Sequence, residues 1–230
     1  MLITAIRTLI SGGHVSFLDV LAQVVSVLFV IFCILPLHEL AHAWVANKLG
    51  DPTAKYSGRI TLNPLASVDP MGAMMLLLVG FGWAKPVPVN PNYFKKPKRD
   101  MALTALAGPV SNLLSAFVGA ILYLAVIFYM PSGVLTRFLS VMLNYYVAVN
   151  VSLAVFNFIP VPPLDGSRIL GAFLSDRLLA KYYSYQSTLS MLLMLMLVTG
   201  ALSGPLATVQ NFFLNLIVRA AFFPFRFFLG

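Results

Sequence analysis

The chain has 230 residues, of which 60% are hydrophobic and 10% charged, with a mean hydropathy of +0.90. That leaves too little polar surface to cover a water-soluble globule, so the composition excludes a soluble enzyme and predicts an all-α polytopic membrane protein. The net charge of +8 raises nucleic acid as a partner, but the basic residues form neither a soluble domain nor an arginine-rich helix; they read as topology signals, with the lipid bilayer as the partner and no nucleic acid.

Met1 to Ile10 is a short, weakly apolar stretch carrying Arg7. No small-residue cleavage site follows it, so it is expected to lie along the interface rather than to be removed as a signal peptide. Stretches long enough to cross a hydrocarbon core of roughly 30 Å recur near residues 18–46, 103–130, 137–159, 185–202 and 206–225. This predicts five or six transmembrane helices, depending on how residues 71–84 are counted.

The first of these stretches holds the chain's only glutamate, Glu39, between two of its three histidines, in the run HELAH at 38–42. On a helix, residues four apart are separated by about 6 Å along the axis and about 40° around it, so His38 and His42 present two imidazoles to one metal ion. Glu39, on the flank of that face, can hold a water without occupying a ligand position. This is what metal-assisted hydrolysis needs: zinc brings the pKa of a water towards about 7 and a neighbouring carboxylate takes the proton. Three His and one Glu placed at random would form H-E-x-x-H only about once in ten thousand shuffles. An ionised glutamate in a membrane helix is also costly, which argues against an idle structural role. His14, in SGGHV, lies about 36 Å away along the same helix and reads as a loop residue. Cys33, the lone cysteine, excludes an intramolecular disulfide and a cysteine-based zinc cluster. About 140° around the helix from His38, it reads as packing.

Asp69, in SVDPMG, is either a metal ligand or a turn residue. The stretch MGAMMLLLVGFGWA that follows is short for a span and rich in glycine, so it is expected to be re-entrant or interfacial. If it crossed, every later helix would reverse and the two basic segments would fall on opposite sides. The next run, AKPVPVNP, predicts a short membrane-associated β element. Prolines at 86 and 88 blank one edge, while Val87 and Val89 keep their donors on the other, where an unwound substrate could add as a strand. A polyproline loop is the alternative.

Eight of the fifteen Lys and Arg residues fall between Lys48 and Arg99, and Arg168, Arg177 and Lys181 follow the third long helix. Both segments are expected at the cytoplasmic face; the connection MPSGVLTR, holding only Arg137, is expected opposite. The first helix then runs inward to about Asn47. In the second long helix, GPVSN places Gly108 for close helix approach and Pro109 for a first turn, with Asn112 either packing or taking a direct role. In the third, Asn150 and Asn157 share a face about 10.5 Å apart. Buried amides in lipid need partners, and Asn150 reads as structural.

A catalytic zinc takes three protein ligands and an open position. Asp165, in FNFIPVPPLDGSRIL, is the best-placed third donor. Pro160, Pro162 and Pro163 end the preceding helix and Gly166 permits a tight turn, leaving Asp165 on irregular backbone lining a cavity. The alternative makes it only a helix N-cap, and Asp69 remains a rival.

The pairing of HELAH with N-x-x-P-x-x-P-L-D-G over residues 18–176 resembles the site-2 protease family of intramembrane zinc proteases. The resemblance implies that His38, His42 and Asp165 bind one zinc ion and that Glu39 is the catalytic base. It also implies that Asn157 orients substrate or stabilises the oxyanion, and that GPVSN belongs to the family's middle core helix. The polar regions 48–70 and 85–102 are too short for an independent soluble regulatory module. The methionine-rich MLLMLMLV reads as lipid-facing, and the aromatic closing stretch as a last helix with an interfacial anchor.

The expectation is therefore a single membrane-embedded protease domain over 1–230, with a core at about 18–176 and C-terminal helices at about 184–230. It would cut membrane-spanning protein substrates in a prokaryotic cell membrane, with the site towards the cytoplasm. The competing reading is a non-enzymatic metal carrier or scaffold that keeps the metal site.

Overall fold

The structure, a computed structural model, describes residues 28–79 and 82–226. The expectations for Met1 to Ile10, for His14 and for the first ten residues of the stretch at 18–46 lie outside them. The described chain is mostly helical and divides into two compact units, Met1–Tyr93 and Phe94–Gly230.

In the first unit, a π-helical turn at Val30–Ile34 leads into α1, Leu35–Lys48. Pro36 has no N–H to give, and just before it the ladder slips by one residue, Leu35 donating to the carbonyl of Val30. The helix stops at Lys48 because Gly50 adopts a left-handed φ of 111°. Beyond it, Asp51 is fully buried. Its carboxylate accepts from the Thr53 N–H at 3.0 Å, the Thr53 hydroxyl at 2.5 Å and the Asn90 N–H at 2.7 Å. Three donors on one carboxylate offset its desolvation and tie the end of α1 to the chain forty residues on.

Two single-turn helices follow, α2 (Thr53–Tyr56) and α3 (Pro64–Ser67), then α4, Pro70–Val79. Asp69 starts α4: its Oδ1 accepts from Gly72 N–H at 2.7 Å and its carbonyl from Ala73 N–H at 2.8 Å. Its oxygen thus serves as a helix N-cap. Ten residues of α4 span only about 15 Å, half a hydrocarbon core. The segment also returns to where it began. Val68 and Ala84 form an isolated antiparallel bridge, and Lys85 N–H donates to Ser67 C=O at 2.8 Å. Gly72 lets the arms touch, since a Cβ there would stand 2.0 Å from the Trp83 carbonyl oxygen.

No strand forms among the described residues, including the run at 84–91 where a β element was expected. Pro86 and Pro88 withhold alternate donors, and one guanidinium, from Arg59, takes the consecutive carbonyls of Lys85 and Pro86. In a strand those two carbonyls point to opposite edges.

The second unit is built on α5 (Pro97–Tyr129) and α6 (Val134–Asn157), followed by α7 (Asp165–Gly171), α8 (Asp176–Ser184), α9 (Gln186–Val198) and α10 (Ser203–Phe222). Its core joins Ala116 and Ala120 of α5, Val147, Val151 and Val155 of α6, and Ile217 and Ala221 of α10. Small residues let these helices approach closely, as membrane helices do. The close approach falls at Gly119, where a Cβ would lie 2.7 Å from the Tyr146 ring. Pro109 sits inside α5 rather than in its first turn. The helix begins earlier than hydropathy predicts because Asp100 reaches back to accept from the Lys96 N–H at 3.0 Å, and Lys98 pairs with Asp176 at 2.7 Å.

Val30–Lys48, Pro97–Tyr129 and Val134–Asn157 are long and apolar enough to cross a membrane. Helices α9 and α10 meet the same length and apolarity only when taken together, and they are bent by 85° between them, as a broken span or a re-entrant loop is.

Candidate functional site

His38, Glu39 and His42 lie in the middle of α1 and are 7%, 9% and 8% exposed. The i, i+4 spacing turns both imidazoles the same way. Their Nε2 atoms are 3.0 Å apart, with the rings edge-on at 83°. Two nitrogens bound tetrahedrally at the usual Zn–N length would stand about 3.3 Å apart, so this pair already lies close to the spacing a single ion requires. Two imidazole donors suit zinc rather than a metal that favours all-oxygen coordination.

Glu39 faces a cation. Arg59, 7% exposed and placed by its own N–H bond to Ala54 C=O at 2.8 Å, brings Nη2 to 3.9 Å from Glu39 Oε2. That is ion-pair range but beyond a hydrogen bond. Its hydrogen bonds go elsewhere: Nη1 donates to Pro86 C=O at 3.0 Å and Nη2 to Lys85 C=O at 2.5 Å. In the sequence Arg59 reads only as one of the topology charges. The signal available was one of supply, since a lone glutamate in an apolar helix needs a cation and the polar segment just after that helix holds few.

The proline-spaced segment packs on the same helix. Val87 is buried against Ala43 of α1 and Ala54 of α2, with Ile60 and Val89 beside it. Val87 and Val89 N–H groups have no hydrogen-bond partner among the described residues, while the flanking Lys85 and Asn90 N–H groups are both used. The segment is thus pinned at both ends and forms no sheet. Cys33 lies on an exposed face of the helix turn before α1.

In the second unit, Asn157 is the last residue of α6 and donates from Nδ2 to Leu153 C=O at 3.0 Å. The loop after it is held by side chains from farther on: Tyr182 donates to Pro160 C=O at 2.8 Å and Ser190 to Pro162 C=O at 2.6 Å. Asp165, half-buried, is the first residue of α7, whose N-cap position is Leu164. Gly166 serves close approach: a Cβ there would come within 2.4 Å of the Phe158 carbonyl oxygen. Asn150 is buried and back-bonds to Tyr146 C=O at 2.9 Å, as a structural amide does. Asn112 is fully buried, and neither polar atom of its amide has a hydrogen-bond partner among the described residues.

Residues 131–200 match the model of Peptidase family M50. That stretch carries Asn157 and Asp165 but not HELAH. Among curated proteins, the chain is 47% identical over 137 residues to "Putative zinc metalloprotease YwhC" of Bacillus subtilis, covering 58% of this chain and 62% of that protein. It is 30% identical over 138 residues to "Putative zinc metalloprotease Rip2" of Mycolicibacterium smegmatis, covering 56% of this chain and 50% of that protein. It is also 30% identical over 159 residues to "Zinc metalloprotease MJ0392" of Methanocaldococcus jannaschii, covering 66% of this chain and 35% of that protein. The chain thus spans between about a third and three fifths of the length of these relatives. No solved structure matches. The resemblance drawn from the two motifs is found again in these matches.

Proposed function

We propose that this relative of peptidase family M50 is a zinc endopeptidase of the site-2 protease type, which hydrolyses peptide bonds of membrane-spanning proteins. The observation that carries this reading is the buried His38, Glu39 and His42 cluster, with its two Nε2 atoms 3.0 Å apart in an apolar helix. The printed names of the relatives support it.

In this reading His38, His42 and Asp165 hold one zinc ion, which when bound supplies a Lewis acid that acidifies water and polarises the scissile carbonyl. Glu39 accepts the proton of the attacking water and returns it to the leaving amine. Asn157 donates its amide to the charge developing on the carbonyl oxygen. A peptide bond within a helix is shielded by its own hydrogen bonds, so the substrate must be held extended. Val87 and Val89 offer it N–H donors along one edge, and the substrate itself completes a short β element. The chain crosses the bilayer five or six times, residues 71–84 enter and leave on one side, and the site faces the cytoplasm of a prokaryotic cell.

The test is cleavage of a single-pass substrate in vesicles by the purified protein. Two fragments are expected, lost on adding a zinc chelator and regained with zinc. Metal uptake into vesicles without cleavage would favour a carrier instead. In the same assay, replacing Val87 and Val89 by proline is expected to cut turnover of a helical substrate by about tenfold or more, since two N–H donors to the substrate are lost. Unchanged turnover would remove that edge from the mechanism.

A further inference from the structure

Arg59 is the buried group whose chemistry the proposed reaction leaves unused, and its geometry is unusual for a buried arginine. A guanidinium commonly spends its fork on a carboxylate. Here the fork is spent on two neutral backbone carbonyls, Lys85 at 2.5 Å and Pro86 at 3.0 Å, while the nearest carboxylate oxygen, on Glu39, stands 3.9 Å off. Nε is buried with no hydrogen-bond partner among the described residues. The arginine therefore offsets the charge of Glu39 without occupying the lone pairs that Glu39 needs to accept a proton. The same side chain also grips the segment carrying the Val87 and Val89 donors, at its two nearest upstream carbonyls.

We infer that Arg59 is a positioning residue that sets the separation between the general base and the edge that holds the extended substrate. This rests on the proteolytic reading above. The segment has other anchors, the Lys85 N–H bond to Ser67 C=O at 2.8 Å and the Asn90 N–H bond to Asp51 at 2.7 Å. Losing Arg59 therefore leaves the edge able to receive substrate but releases its register against Glu39. A displacement of about 1 Å between reacting groups costs about 10²-fold in rate, and the loss belongs in kcat rather than KM.

The experiment uses the full chain in vesicles, as wild type, Arg59→Ala and Arg59→Lys, with zinc content, steady-state cleavage and hydrogen exchange of residues 84–90 measured on each. Expected for Arg59→Ala is wild-type zinc content, kcat lower by about 10²-fold with KM within about threefold, and faster exchange at the Lys85 amide. Added guanidinium ion should restore part of kcat. Arg59→Lys keeps the charge but cannot reach both carbonyls, and should fall between the two. Unchanged kcat and exchange in Arg59→Ala would overturn the inference. So would a loss of zinc and activity in both variants that guanidinium does not rescue, the mark of a merely structural arginine. If wild type itself neither holds zinc nor cleaves, the proteolytic reading fails, and with it the catalytic role of Arg59; the exchange arm then reports only whether Arg59 grips the segment.

Discussion

Glu39→Gln is expected to bind zinc as the wild type does and to lose cleavage by about 10²–10⁴-fold, the usual worth of a positioned general base. The substitution preserves size and hydrogen-bonding atoms but removes the proton acceptor. Because Glu39 flanks the His38 and His42 face without sharing it, the metal is left alone. Zinc content per chain and fragment yield on the same preparation check this. Loss of zinc would make Glu39 a ligand rather than a base, and full activity would place the base elsewhere. The change also leaves Arg59 as a buried cation whose anionic partner at 3.9 Å is gone. Some loss of stability is therefore expected, read as a lower unfolding midpoint without loss of the metal.

Asp165→Asn is expected to weaken zinc binding by more than about 100-fold. That figure separates two roles, since loss of a residue that merely orients a ligand costs about 10–100-fold. The amide occupies the same volume at the start of α7 and should leave that helix intact. Asp165 is not its N-cap, so capping energy is not at stake. Competition with a zinc-sensitive chelator gives the affinity, and Asp69→Asn serves as the control. Asp69 is already engaged at Gly72 N–H, a bond that the amide oxygen of Asn accepts as well, so its substitution should leave both the helix and the metal unchanged.

HELAH was legible because a helix period of 3.6 fixes which residues share a face whatever surrounds them. The end of α1 was legible within a residue for a local reason as well: Lys48, Leu49 and Gly50 end it through their own backbone. The stretch at 71–84 was legible as unlike a full span from its shortness and its glycines, and the bridge between Val68 and Ala84 brings its ends together. What sequence did not show depends on groups far apart in the chain. The start of α5 was misplaced because its first turn is charged and is held by Asp100 and by the Lys98 pair with Asp176, neither of which hydropathy registers. The strand expected at 84–91 did not form because a side chain 26 residues upstream takes consecutive carbonyls. Arg59 itself was hidden for the same reason, being one basic residue among eight until its partners are seen.

The proposed hydrolysis requires one zinc ion on two imidazoles and one carboxylate. X-ray absorption at the zinc edge of the purified wild-type protein tests it most directly. About one zinc per chain is expected, with histidine scattering from two rings and nitrogen and oxygen neighbours at about 2.0–2.2 Å. A sulfur neighbour near about 2.3 Å, the scattering of a single histidine, or a protein that cleaves while holding no zinc would contradict it.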